Sequence, residues 1–168
     1  MSKWVVDTCV IIDVLSGDGV FSTKSADAID AKRAEGLVIA PITYVELAPS
    51  FLGDVAKQDM VLSGLGIECD FAGNKEAVLA AHKAWYEHVQ RKRLGVVSKR
   101  PIADILIGAY AMQKGGLITR NEADFKALYS LSQPDNLQSC FVSVLTNQSQ
   151  IVETENERTK EETTVKRT

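Results

Sequence analysis

The first residue in this chain that could do chemistry is an aspartate set between two apolar runs. Val5-Val6-Asp7-Thr8-Cys9-Val10-Ile11-Ile12 reads as a short, β-branched, non-alternating strand that ends in Asp7 and gives way to a helix over residues 8 to 15. A carboxylate at the carboxyl end of a buried parallel strand lies where open α/β sheets hold their ligands. Three further acids stand in comparable places: Glu46 inside an apolar helix, Asp104 at a helix start behind Pro101, and Asp124 just beyond a later strand. Each alone has a bland explanation. Asp7 suits a cap for the helix that begins at Thr8, Glu46 suits a half-exposed helix position, and Asp104 suits a first-turn acid favoured by the helix dipole. Asp124, before Phe125, suits another helix start. Taken together they point further. Several carboxylates on one sheet edge raise each other's pKa and do not all stay ionised without a cation. All-oxygen ligands suit a hard ion, Mg²⁺ or Mn²⁺. Such an ion makes a nucleophile of water and stabilises charge on a phosphodiester, so the chemistry implied is metal-assisted hydrolysis.

These acids need a scaffold, and the hydrophobic pattern supplies one. Buried strands are expected near residues 5–6, 37–40, 117–119 and 141–145, with a short one at 67–69. Helices are expected over 8–15, 22–35, 42–52, 54–63, 73–94 and 101–114. Ala26, Ile29 and Ala34 should face inward from the second helix, and Val78, His82, Trp85 and Val89 should form the stripe of the long one. Pro41 should end the second strand, and Pro49 should limit or kink the helix after it. The alternation predicts an α/β fold, a three-layer α/β/α sandwich with a mostly parallel central sheet. Residues 1–146 form the expected folded domain; residues 147–168 are rich in Glu, Thr and Lys and read as a disordered polar tail.

Composition narrows the function classes. With 168 residues and 45% hydrophobic content the chain suits one domain with a real core. It has no 18-residue apolar run, so no membrane span is expected, and Met1-Ser2-Lys3-Trp4 leads straight into a strand, unlike a signal peptide. Cys9, Cys69 and Cys140 lack zinc-ligand spacing and read as small core residues in a reducing, cytoplasmic setting. His82 and His88 fall on different helix faces and are not expected in catalysis. A net charge of −3 argues mildly against a dedicated duplex-DNA binder, although bound cations restore positive charge to an acidic site. The basic group Arg91, Lys92, Arg93, Lys99 and Arg100 reads either as a solvated helix end or as a phosphate-tracking surface leading to Asp104, with Arg100 nearest that acid.

Four stretches in order carry a resemblance. Val6-Asp7-Thr8, Thr43-Tyr44-Val45-Glu46-Leu47, Arg100-Pro101-Ile102-Ala103-Asp104-Ile105-Leu106-Ile107-Gly108-Ala109 and Ile118-Thr119-Arg120-Asn121-Glu122-Ala123-Asp124-Phe125 resemble the motifs of PIN-domain ribonucleases, closest to VapC-type toxins. The resemblance spans about residues 3 to 146. It implies a PIN-like fold, a divalent-metal site and cleavage of single-stranded RNA. It also implies a homodimer and a cognate antitoxin protein that blocks the site. Carried over, Asp7, Glu46 and Asp104 match acidic metal-ligand positions, and the fourth lies with Asp124 or with Asn121, which stands where relatives often have an acid. Thr8 and Thr119 match hydroxyl positions that orient the carboxylates. Ile11, Leu15, Phe51, Leu52, Val55 and Met60 read either as antitoxin groove or as ordinary core.

Three other readings compete. A haloacid dehalogenase-type phosphatase also begins with an aspartate after a buried strand, but it wants a second acid two residues later, where Cys9 stands. A catalytically inactive PIN-fold binding module, acting through a protein or RNA partner, is countered by the presence of all four acidic positions. A nucleotide-binding protein is disfavoured because no Gly-rich phosphate loop follows the first strand.

Overall fold

A computed structural model describes residues 3–17, 19–72, 75–95, 102–123 and 125, and the backbone of 141–143. Five described strands form one sheet in the order β3-β2-β1-β4-β5, and every pairing is parallel. The strands are β1 (Trp4–Val6), β2 (Leu37–Ile39), β3 (Ile67–Cys69), β4 (Gly116–Thr119) and β5 (Phe141–Ser143). Their short apolar runs are buried on both faces, as parallel strands under helical layers must be. Alternate residues serve opposite faces. Trp4, Val6, Leu37, Ile39 and Ile118 enter one core cluster, whereas Val5, Val38 and Leu117 enter another.

Helices α1 (Thr8–Ser16), α2 (Ser22–Lys32), α3 (Pro41–Leu47) and α4 (Val55–Gly64) supply the first cluster through Val10, Ile11, Ile29, Leu47 and Leu62. Helix α6 (Ile102–Ala111) covers the other face with Ile107, Tyr110 and Ala111. Helix α5 (Lys75–Arg93) packs on α6 through Ala81, with Ala80, Ala84 and Trp85 around Ile105 and Ala109. The α/β sandwich read from the pattern is therefore the observed architecture.

Several local expectations shift. The second helix ends its α-helical run at Lys32 and tightens to a 3-10 turn over Arg33–Glu35, which carries Ala34 out to solvent; Ser25, Ala28 and Ile29 are the buried set, with Ala26 half-buried. Pro41 does more than end β2, because it occupies the first turn of α3, where its missing N–H costs nothing. That helix becomes a 3-10 turn over Ala48–Phe51 around Pro49. On α5 the stripe is rotated from the expected one: Ala77, Ala81 and His88 are buried, while Val78 and His82 are exposed. Small alanines let two helix backbones approach closely, so they define this face better than the larger valines do. The residues read as groove or core also divide. Ile11 and Phe51 lie in the core, whereas Leu15, Leu52, Val55 and Met60 are exposed.

Asp124, Lys99, Arg100, Cys140 and the tail from residue 147 lie outside the described residues. No helix among the described residues is long and apolar enough to cross a membrane.

Candidate active site

The chain leaves β1 at Val6, and the main-chain N–H of Asp7 still bonds back to the Ile118 carbonyl of β4 at 3.0 Å. Asp7 then takes the N-cap position of α1 in an extended conformation, and its carbonyl accepts from the Val10 N–H. Its side chain does not cap the helix. It is 5% exposed and turns instead toward β4, where the Thr119 hydroxyl donates to Oδ2 at 2.7 Å. The Asn121 main-chain N–H donates to the same hydroxyl at 2.9 Å, which fixes the Thr119 proton on Asp7. A second donor is the Cys9 thiol, 3.1 Å from Oδ2. Burial and the Asp7 charge push that thiol up to about 12, so it stays protonated and able to donate. Both bonds fall on Oδ2; among the described residues none donates to Oδ1.

Glu46 comes from α3, which follows β2 on the same sheet edge. Its carboxylate is exposed, and the Thr8 hydroxyl donates to Oε2 at 2.5 Å. The residue next to Asp7 thus holds Glu46, tying the first two acidic motifs together. Neighbouring α4 steadies this turn of α3. Gln58 Nε2 donates to the Tyr44 carbonyl at 2.8 Å, and the Tyr44 hydroxyl donates to Asp59 at 2.7 Å.

Asp104 lies in the first turn of α6 and is half-buried. The chain passes from the end of α6 almost directly into the start of β4, so the first turn of α6 points toward the carboxyl edge, where Asp7 and Glu46 stand. α6 packs against both β1 and α3. Among the described residues, no three His, Cys, Asp or Glu side chains gather closely enough to hold a metal. The structure thus links Asp7 and Glu46 through Thr8, and α6 carries Asp104 in its first turn.

Two parts of this neighbourhood escape a reading of the sequence. Asp13, in the second turn of α1, is 4% exposed and accepts from Ser25 Oγ at 2.9 Å and from Arg120 Nη1 at 2.7 Å. The Arg120 guanidinium also lies over the Phe21 ring, 4.5 Å from its centroid. This pair clamps the segment after β4 onto α1 and α2. The available signal was the acid in Ile11-Ile12-Asp13-Val14-Leu15, the same kind of interruption that singles out Glu46. Cys9, expected as plain core filling, packs against the core and also bonds the Asp7 carboxylate.

The donor chemistry fits a hard divalent ion. Carboxylate oxygens on Asp7 and Glu46 lie at the edge, oriented by hydroxyl and thiol donors that leave Oδ1 of Asp7 uncommitted among the described residues, and Asp104 stands in the first turn of α6. The basic last turn of α5, with Arg91, Lys92 and Arg93, precedes the connection to α6. On the far side of α3, Pro41, Ile42, Val45, Val78, Leu106 and Tyr110 line an apolar cavity of about 370 Å³.

The sequence pattern of the PIN domain matches residues 4–131 of this chain. No curated protein sequence matches it significantly. Among solved structures, that of VapBC-1 from nontypeable Haemophilus influenzae, at 2.2 Å resolution, has a similar fold, with a TM-score of 0.56 at 17% identity. The match covers 84% of this chain and 98% of that one.

Proposed function

Since the chain belongs to the PIN-domain family, we propose that it is a divalent-metal-dependent endoribonuclease, the toxin of a toxin–antitoxin pair, working in the cytoplasm. The observation that carries this reading is the Asp7 side chain. It stands where a helix cap is expected, declines to cap, and is held under the sheet edge by Thr119 and Cys9. A buried carboxylate oriented by donors on one oxygen is built to offer the other.

Asp7, Glu46, Asp104 and Asp124 would hold Mg²⁺ or Mn²⁺. The ion, when bound, would supply Lewis acidity toward the scissile phosphate and lower the pKa of an attacking water. The protein's own part is orientation. Thr119 and Cys9 donate to one oxygen of Asp7, and Thr8 donates to one oxygen of Glu46. Arg91, Lys92 and Arg93 at the end of α5 give cations for the RNA backbone near the start of α6.

Partner surfaces suit the same reading. Leu15, Leu52, Val55 and Met60 give exposed apolar side chains on α1, the turn after α3, and α4, where an antitoxin segment would dock. The apolar cavity beside exposed Val45 and Val78 suits a second copy of the chain. Residues 1–146 would carry the nuclease, with 147–168 as an accessory tail.

The test is RNA cleavage by the purified protein with Mg²⁺ or Mn²⁺, then with EDTA, beside Asp104→Asn. Cleavage that needs both the metal and Asp104 supports the nuclease. No cleavage by folded, metal-supplemented protein across several RNA classes would favour a non-catalytic binding module.

A further inference from the structure

We propose that Cys9 is a positioning residue for the metal site, its thiol acting as the second donor that turns Oδ1 of Asp7 toward the cation. This inference rests on the metal reading of Asp7 given above. Three contacts carry it. Sγ lies 3.1 Å from Asp7 Oδ2, in hydrogen-bonding range for sulfur. The Thr119 hydroxyl donates to the same Oδ2 at 2.7 Å. Thr119 Oγ1 lies 3.9 Å from Sγ, so both donors approach one carboxylate oxygen from neighbouring directions.

The geometry has a chemical consequence. A single donor on a carboxylate oxygen leaves the group free to rotate about its Cβ–Cγ bond. Two donors from two different elements, Cys9 on α1 and Thr119 on β4, fix the plane. They also occupy Oδ2, so a cation meets the other oxygen. Outer partners of this kind are worth as much as tenfold or more in metal affinity.

Two measurements on the full chain test this. The first is the S–H stretch of metal-free protein in the infrared, where protein absorbs little else. Subtracting the spectrum of Cys9→Ser isolates the Cys9 band from those of Cys69 and Cys140. A bond to a carboxylate is charge-assisted and stronger than one to an amide, so the band should move to higher frequency in Asp7→Asn. An unmoved band overturns the proposal. The second is Mn²⁺ affinity by electron paramagnetic resonance. Cys9→Ala should bind Mn²⁺ about tenfold more weakly, and Cys9→Ser, which keeps a donor, should stay within about twofold of wild type. The melting temperatures of both variants should remain near wild type, since Cys9 is half-buried at the rim of its cluster. Wild-type affinity in Cys9→Ala overturns the proposal. Wild-type protein that bound no Mn²⁺ would instead count against the metal reading of the site, and the S–H band, read without metal, would still decide the bond between Cys9 and Asp7.

Discussion

Thr119 and Asp7 stand 112 residues apart in sequence and 2.7 Å apart in space, hydroxyl to carboxylate, across two adjacent strands. The parallel pairing of β1 with β4 makes this meeting unavoidable: Val6 pairs with Ile118, so the next residue on each strand emerges at the same edge. The Asn121 N–H completes the chain of bonds by holding the Thr119 hydroxyl from behind.

Removing this hydroxyl should therefore be costly in two ways. Thr119→Val keeps the shape but leaves the Asn121 N–H and the Asp7 carboxylate each short of one partner. The expected loss is about 1–3 kcal/mol of stability, together with about tenfold or more in metal affinity or cleavage rate. Denaturant unfolding and Mn²⁺ titration read the two effects separately. Retained activity in a destabilised protein would mean that the hydroxyl serves only the fold.

The Asp13–Arg120 clamp should matter for stability more than for chemistry. Asp13→Ala leaves Arg120 and Ser25 without their shared acceptor. Breaking a buried pair from one side is strongly destabilising, but Arg120 keeps about a third of its side chain in water, so about 2–4 kcal/mol is expected. Thermal melts check this. An unchanged melting temperature would show the pair to be surface-like in effect.

Thiol chemistry reports on the state of Cys9. Its ordinary value is 9.0, and burial followed by the Asp7 charge raises it to about 12. A raised thiol is neutral, so at pH 8 the reactive thiolate is about one part in ten thousand. Alkylation of Cys9 by iodoacetamide should be slow at pH 8 and accelerate as pH climbs toward 12. In Asp7→Asn the carboxylate behind two of the raising causes is gone, so the reaction at pH 8 should speed up several-fold. Mass mapping of the modified cysteine distinguishes it from Cys69, which burial and Asp59 also raise.

Glu46 and Thr8 offer a milder test. Glu46→Gln keeps an oxygen for the Thr8 hydroxyl but loses the charge. Since Glu46 is exposed, stability should change by less than about 0.5 kcal/mol, while metal affinity falls. A calorimetric Mn²⁺ titration that matched wild type would take Glu46 out of the site.

Much of this was legible in the sequence because parallel α/β folds announce themselves. Short apolar runs at Val5, Val38 and Leu117 mark strands buried on both faces, and the acids at their carboxyl ends mark the edge. What stayed hidden depends on partners far along the chain. Asp13 meets Arg120 from 107 residues away, and no local pattern encodes that pairing. The α5 face was misread for a different reason. Side-chain size suggested Val78 and Trp85, but close packing of α5 on α6 is made by alanines, and Val78 is left in solvent. Cys9 packs against the core as its apolar neighbourhood suggests, but its bond to Asp7 has no local signature, because a thiol next to Val10 looks apolar until its acceptor is known.

The most direct test of the central claim is cleavage of single-stranded RNA by wild type and Asp7→Asn, each with Mn²⁺ and with EDTA. Wild type should cleave with metal and not with EDTA, and Asp7→Asn should lose at least about a hundredfold, its fold persisting because the substitution preserves shape and one acceptor for Thr119. Undiminished cleavage by a folded Asp7→Asn protein, or cleavage that survives EDTA, would contradict it.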